Sequence, residues 1–323
     1  MNVVTGRLGW VGIDLETSAG VPKVPAAYLP FIECTLQGKH TPIPDTAAYG
    51  MRDAQSENSQ LGRQWGEGNL RINLDPTNAP YLLGMALGDF GSPVSEGGGV
   101  FTHTLVRLNT NAPKSASVTF DRVTDRQIFT YAVINSLELS YSEGLAEINA
   151  SLLSRAPVAS TSGTLVTASG TLFTFRHASV KLGATVTAAE NSATTLKLRE
   201  FNLTINNNAE PQFVSGNRDA DSIIQKNFLV SGSFRLAFEN TTQRDAFNNL
   251  TKQAMVVTFT GNGIGNGMSE YIKVRVYKMR FENYEVDVPI DDMVGEEISF
   301  IGEYDSTTSK TLDVVARNRK SSY

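Results

Sequence analysis

The residue types that usually carry chemistry are sparse in this chain. It holds three histidines, His40, His103 and His177, and one cysteine, Cys34. No HExxH or CxxC spacing joins them, so no zinc-type ligand set is spelled out. A single cysteine cannot close an intramolecular disulfide, and Cys34 is expected to be a small apolar strand residue rather than a reactive thiol. The run "GNGIGNG" (261–267) invites a phosphate-loop reading, but its glycines fall at every second position and strands flank it on both sides. Phosphate cradles open into a helix, so a hairpin loop is the better reading. The acidic run "DVPIDDMVGEE" offers Asp287, Asp291, Asp292, Glu296 and Glu297 as oxygen ligands, yet without EF-hand spacing. A solvated acidic turn is expected there. No nucleophile elbow is present. These absences predict a protein that is not an enzyme and holds no metal or cofactor.

The elements around these residues read as strands. "SASVTFDRV" (115–123), "YAVINSLELSYS" (131–142), "AEINASLLS" (146–154), "FTFRHASVKL" (173–182), "KLREFNLTIN" (197–206), "VVTFTG" (256–261), "YIKVRVYKMRFENYEVDV" (271–288) and "EEISFIGEYDS" (296–306) alternate apolar and polar residues. Period-two alternation means one face buried and one wet, as in antiparallel sheets. Two short helices interrupt the pattern. One follows Asp75, with Asn78 as N-cap, Pro80 in the first turn and Gly88 as its stop. The other runs through "QRDAFNNLTKQ" behind Thr241 or Thr242, with Phe247 and Leu250 on one face.

The two helices belong to two similar stretches. "GNLRINLDPTNAPYLLGMALG" from Gly68 and "GSFRLAFENTTQRDAFNNLTK" from Gly232 align at a constant offset of 164 (232 − 68). "SVTFD" (117–121) resembles "VVTFT" (256–260). "VINSLELS" (133–140) resembles "RVYKMRFE" (275–282) at an offset of 142, matching Ile134, Leu137 and Leu139 with Val276, Met279 and Phe281. "IECTLQG" (32–38) pairs more weakly with "FNLTINN" (201–207). The recurring order of strand, glycine-led strand, acid, helix, strand and strand predicts an internal duplication. A first unit is expected over 1–157, a linker-like Ser/Thr/Gly stretch over 158–172, a second unit over 173–305 and a C-terminal arm over 306–323. The segment 38–66 lacks periodicity and reads as a long loop, a kind that is usually functional or disordered.

At 323 residues, 41% hydrophobic and 19% charged, the chain reads as soluble and globular. It has no apolar run long enough for a membrane span and no secretory signal, so synthesis in the cytoplasm is expected. A net charge of −5 argues against gripping nucleic acid by phosphate neutralisation. It does not argue against letting nucleic acid slide past.

Several motifs together resemble a known family. "AAYLPFIECTL", "GEGNLRINLDPTNAPYLLGMALG", "VFTHTL", "YAVINSLELSYSEGLAEINASLLSRAP", "LREFNLTINNNAEP", "FLVSGSFRLAFENTTQRDAF" and "YIKVRVYKMRFENYEV" follow one another. They do so as in the tail-tube proteins of long, non-contractile-tailed bacteriophages, over roughly residues 10–305. The long N-terminal loop departs from that pattern. The resemblance implies a mainly β chain of two tandem antiparallel sandwich or half-barrel units, each with a short flanking helix. It implies a structural virion protein, made in the host cytoplasm, whose rings stack into the conduit for DNA ejection. Six tube-fold units per ring would come from three duplicated chains, a homotrimer favoured over a homohexamer. The implied partners are copies of itself and tail terminator, tape measure and tail-tip proteins. Genomic DNA would pass through the lumen without sequence-specific binding, and no membrane is involved. The 38–66 loop and the C-terminal arm are the candidates for contacts between stacked rings, with Ile43, Tyr49, Met51, Leu61 and Trp65 as the loop's anchors. A receptor-binding or baseplate module on the same β-sandwich frame is the alternative reading.

Overall fold

The computed structural model describes residues 5–53, 58–110, 113–161, 163–166, 170–291 and 293–323. Asp292 of the acidic run, 54–57 of the predicted loop, and 162 and 167–169 of the predicted linker lie outside the described residues. The first half contains β1 (Trp10–Leu15), β2 (Ala27–Leu29), β3 (Phe31–Cys34), β4 (Gln37–Ile43), β5 (Gln60–Asn73), α1 (Ala79–Leu87), β6 (Gly88–Asp89), β7 (Val94–Gly97), β8 (Val100–Arg107), β9 (Ala116–Asp121), β10 (Arg126–Tyr141), β11 (Glu147–Ser154) and β12 (Val158–Ala159). The second contains β13 (Ala178–Gly183), α2 (Val186–Asn191), β14 (Leu198–Asn206), β15 (Ala209–Gln212), β16 (Ser222–Gln225), β17 (Leu229–Ala237), α3 (Thr242–Asn248), β18 (Gln253–Gly265), β19 (Met268–Asp287), β20 (Gly295–Glu303) and β21 (Leu312–Asn318). The chain is mainly β with antiparallel sheets, as its alternation predicts.

Eight strands form the main sheet in the order β3–β5–β11–β10–β14–β17–β20–β19, every neighbour antiparallel. β4 prolongs β3 along β5. Alternate residues face a shared core: Leu70 and Ile72, Ile148 and Ala150, Leu137 and Leu139, Leu203 and Ile205, Phe234 and Leu236, Ile298 and Phe300 are all buried. The opposite face is polar. Among the described residues no ladder joins β3 back to β19, so this sheet is open there, with an edge at each end.

β10 and β19 are long enough to serve two sheets. The first part of β10 pairs with β9 and β12, and β9 continues to β1 and β2. The first part of β19 pairs with β18 and β21; β18 continues to β13, and β21 to β8 with β6 and β7. These second layers cover the buried face of the main sheet and enclose the core. β10 turns between its sheets where Tyr131 takes a left-handed φ of 53°. The buried Glu16 carboxylate accepts the Tyr131 N–H (2.9 Å), the hydroxyls of Ser115 (2.7 Å) and Ser117 (2.8 Å), and the Gly20 N–H (2.7 Å). Four donors on one carboxylate hold a conformation that a bulky residue otherwise avoids.

Two ladder systems repeat each other's registers. β5 pairs with β11 through Leu70↔Ala150 and Ile72↔Ile148, and β17 pairs with β20 through Phe234↔Ile298 and Leu236↔Glu296. The shifts are 164 for the first strand and 148 for the second. β10 and β11 slip register between Ile134 and Ser136, and β19 and β20 between Phe281 and Asn283, both 147 later. β3 and β5 slip between Phe31 and Glu33, and β14 and β17 between Leu198 and Glu200, both 167 later. These ladder shifts do not coincide with the offset of 142 at which "VINSLELS" resembles "RVYKMRFE". By pairing, Ile134, Leu137 and Leu139 correspond to Phe281, Tyr284 and Val286. The weaker match of 32–38 with 201–207, offset 169, likewise differs from 167. A bulge adds a residue without a change of face, so alternation alone does not fix the phase.

The first helix lies where it was expected, whereas α3 stops at Asn248, short of the predicted stretch, and Leu250 falls outside it, exposed and at a left-handed φ of 51°, so it shares no helix face with Phe247. α1 is entirely buried, with Pro80 in its first turn and Gly88 at φ 98° as C-cap. Asn78 occupies the N-cap without a side-chain bond; the Asp75 carboxylate caps instead, accepting the N–H groups of Thr77 (2.8 Å) and Asn78 (2.7 Å). At α3 the side-chain amide oxygen of Asn240 accepts the Thr242 N–H at 2.9 Å. Two segments differ from the reading of the sequence. Residues 37–43 and 60–66, inside the predicted loop, form an antiparallel hairpin arm. In the second half, the corresponding interval holds only the short β15–β16 hairpin. Residues 312–318, read as part of an arm that orders on a neighbour, form a strand enclosed between β19 and β8. Beyond it, the buried Tyr323 hydroxyl donates to the Thr77 carbonyl at 2.9 Å.

Candidate functional site

The second layers leave the polar face of the main sheet uncovered over most of its strands. Its residues are the alternate positions of each strand: Asn69, Arg71 and Asn73 on β5; Glu147, Asn149 and Ser151 on β11; Ser136, Glu138 and Ser140 on β10. It continues with Asn202, Thr204 and Asn206 on β14, Ser231, Ser233 and Arg235 on β17, Glu297 and Ser299 on β20, and Asn283, Glu285 and Asp287 on β19. All are half-buried or exposed. Period two forces this arrangement, because a strand with Leu137 and Leu139 in the core must turn Ser136, Glu138 and Ser140 outward.

Along this span carboxylates outnumber cations. Both arginines are held by acids: Arg71 by Glu33 and Glu147, each at 3.5 Å, and Arg235 by Asp287 at 3.5 Å. The Asn202 amide donates to the Glu138 carboxylate across the β10–β14 seam. A face of hydroxyls, amides and carboxylates with paired guanidiniums stays hydrated and repels polyanions. Its chemistry is that of a surface to be passed over, since phosphate capture needs cations that can shed their partners. At one end the face is covered: Trp65, Val133, Leu153 and Ile223 form a small cluster beneath the β15–β16 hairpin.

The anchor residues read from the sequence lie on the hairpin arm and its base. Ile43 and Leu61 flank the ladder end of the arm, and Tyr49 and Met51 lie in its connection; all four are exposed. The Tyr49 hydroxyl donates to Asp45, which holds that carboxyl below its ordinary value. Trp65 stands apart from them. It packs edge-on to Phe213 at 6.3 Å and donates its indole N–H to Glu67 at 3.0 Å. Nearby, Gln64 donates its amide to Asp219 at 2.7 Å. Trp65 therefore roots the arm, while the other four present a surface.

The remaining candidates have structural partners. His103 is buried, with Nε2 at 2.7 Å from the Lys320 carbonyl and its ring 4.7 Å from that of Tyr323; burial lowers its pKa. His177 sits with Nδ1 3.0 Å from the Thr174 nitrogen in a capping box, and His40 lies exposed on β4. Burial pushes the Cys34 thiol up to about 11. In "GNGIGNG" the hairpin between β18 and β19 turns at Asn266 (φ 51°) and Gly267 (φ 70°), a two-residue turn with left-handed residues. Glu296 and Glu297 are successive strand residues, so Glu296 points into the core and Glu297 to the polar face. Among the described residues no group of three His, Cys, Asp or Glu converges as a metal site. Among them, too, no helix is long and apolar enough to cross a membrane. The polar-face residues were not singled out in the sequence, although each is the polar member of an alternating pair.

A comparison with curated proteins finds no match. A comparison with protein families does: the model for phage tail tube proteins matches residues 6–302, nearly the whole length of the main sheet and its covering layers. The chain belongs to the family of phage tail tube proteins.

Proposed function

We propose that three copies of this chain close into a ring with pseudo-sixfold symmetry, and that the rings stack into a tube whose lumen carries the genome. One observation carries this reading. The two ladder systems share strand order, register and the positions of two bulges, at shifts of 164, 148, 147 and 167. Bulges recur at matched positions in related structures far more readily than by chance. That supports two tube-fold units per chain, over about 1–157 and 173–305. Six units in a ring then need three chains.

The acidic polar face is the surface that would line the lumen. Paired arginines and surplus carboxylates leave DNA no phosphate contacts to break as it moves. The hairpin arm, with Ile43, Tyr49, Met51 and Leu61 exposed, is the device for contact between stacked rings. Tail terminator, tape measure and tail-tip proteins are its partners at the ends and within the lumen. The subunit is synthesised in the host cytoplasm and resides in the virion tail.

Electron microscopy of the concentrated protein, with end-on views averaged without imposed symmetry, tests the ring. Threefold averages with six similar lobes are expected. Six whole chains per ring would discard the trimer, and discrete particles that never stack would favour a receptor-binding or baseplate module. Deleting 43–62 is expected to leave a folded subunit that forms no long tubes; normal tube growth by that variant would remove the arm from the ring-to-ring contact.

A further inference from the structure

The seam inside the chain contains the pattern for the seam between chains. β10 meets β14 through Ser136↔Asn206, Leu137↔Ile205, Glu138↔Thr204, Leu139↔Leu203, Ser140↔Asn202 and Tyr141↔Phe201. Carried by the observed shifts, 147 on one side and 167 on the other, these pairs name two stretches at the free edges of the main sheet. One is Asn283–Val288, the end of β19 and the residue after it, of which Asn283–Asp287 pairs with β20 and, among the described residues, with no other strand. The other is Cys34–Lys39, which pairs only with β5. We propose that Asn283–Val288 of one copy pairs antiparallel with Cys34–Lys39 of a second copy. The register is Asn283 opposite Lys39, Tyr284 opposite Gly38, Glu285 opposite Gln37, Val286 opposite Leu36, Asp287 opposite Thr35 and Val288 opposite Cys34. The inference rests on the two-unit reading above and commits it to named residues.

Three features favour this partner. The first is missing burial. Leu139 and Tyr141, enclosed at the internal seam, are 0% and 6% exposed, whereas their counterparts Val286 and Val288 are 42% and 68% exposed. Apolar side chains in a strand register that points them at the core, yet left wet, mark a contact that a second copy completes. The second is the state of Leu36. Its carbonyl accepts from the Arg122 guanidinium at 2.5 Å. At the internal seam Leu203, the counterpart of Leu36, stands opposite Leu139. A local group thus stands in for a strand on Leu36, one way an edge is kept from indiscriminate pairing. The third is charge. Lys39 falls diagonal to Glu285, and the Thr35 hydroxyl takes the place of the Asn202 amide that donates to Glu138, the counterpart of Glu285. The contact is head to tail, so it propagates until the ring closes.

Disulfide trapping tests it. In a Cys34→Ala background, Thr35→Cys with Asp287→Cys places two thiols directly opposite each other, as Asn202 and Ser140 stand in the internal seam. Thr35→Cys with Asn283→Cys is four residues out of register and serves as the control. After mild oxidation of assembled protein, the first pair is expected to run as covalent dimers and trimers on a non-reducing gel, with nothing larger, and the control as monomer. Crosslinking that continues to six chains would keep the edge pairing and overturn the three-chain ring. Tubes that assemble without crosslinking in the first pair, or with it in the control, would overturn this edge and register while leaving the ring reading intact. Val286→Pro covers the case in which the cysteine variants do not assemble. Proline is tolerated on an edge strand but cannot donate to a partner. The variant is expected to keep its melting temperature within a few degrees and to lose ring formation; tubes formed by it would overturn the proposal.

Discussion

β10 and β19 do the same work in the two halves, yet only one of them is enclosed. The second part of β10 lies between β11 and β14, while the second part of β19 has β20 on one side and, among the described residues, no strand on the other. Their sequences follow that difference. β10 places Leu137, Leu139 and Tyr141 in the core, whereas β19 places Tyr284 and Val286 at a margin and Val288 follows just beyond its end. One strand pattern thus lies in the core in one half and at a half-open margin in the other, and neighbouring strands decide which.

The comparison is sharpest in stability. Where β19 is enclosed, between β18 and β21, it joins a buried polar network. The fully buried Asp313 accepts from Arg275 at 2.7 and 2.8 Å, from Tyr277 at 2.7 Å and from Lys310 at 2.8 Å. Asp313→Ala leaves two cations facing a buried gap and is expected to cost about 3–5 kcal/mol, read from urea unfolding of the free subunit. The next effect separates the halves directly. Leu139→Ala is expected to cost about 2–5 kcal/mol in the same assay. Val286→Ala, at the half-open position, should fall below about 1 kcal/mol, since burial governs the loss. Equal losses would break the comparison.

The smallest effect concerns pH. Glu303, at the far end of β20, is held below its ordinary 4.5, first by the Lys252 ammonium bonded to it and then by Arg280. A carboxylate lowered in the folded state adds stability that is fully present above 4.5 and is lost as pH falls through its folded value. Glu303→Gln should therefore lower the urea midpoint modestly at pH 7 and narrow its gap from the parent below 4.5, read as midpoints across a pH series. A gap that widens on acidification would reverse the assigned sign.

The sequence made some of this visible and hid the rest for physical reasons. β5 and β17 were legible because each has one wet face, so Leu70 and Ile72 alternate with Arg71 and Asn73 as Phe234 and Leu236 do with Arg235. β21 was not, because "LDVVA" is buried on both faces and alternation vanishes when a strand is enclosed. β4 was missed for the opposite cause: "QGKHTPI" is exposed on both faces and carries no apolar rhythm. The offset of 142 between "VINSLELS" and "RVYKMRFE" differs by five residues from the 147 at which the ladder slips recur, because sequence spacing no longer counts faces across a bulge. The polar face was readable in principle as the complement of the core. Its pairing of Arg71 with Glu33 and Glu147 was not, since those residues meet only through ladders spanning distant parts of the chain.

If three chains close a ring and the arm joins stacked rings, as proposed above, the unequal hairpins of the two halves carry a consequence for stacking. A ring of six identical units offers six equivalent rotational seatings on the ring below. With the long arm of 37–66 in one half and only the short β15–β16 hairpin in the other, a ring of three offers three, because every second position has nothing to reach with. The seating entropy of each added ring is smaller by RT ln 2, about 0.4 kcal/mol at room temperature. In exchange, the azimuth of one ring constrains the next, and torque applied at one end of such a tube is passed along as rotation in phase.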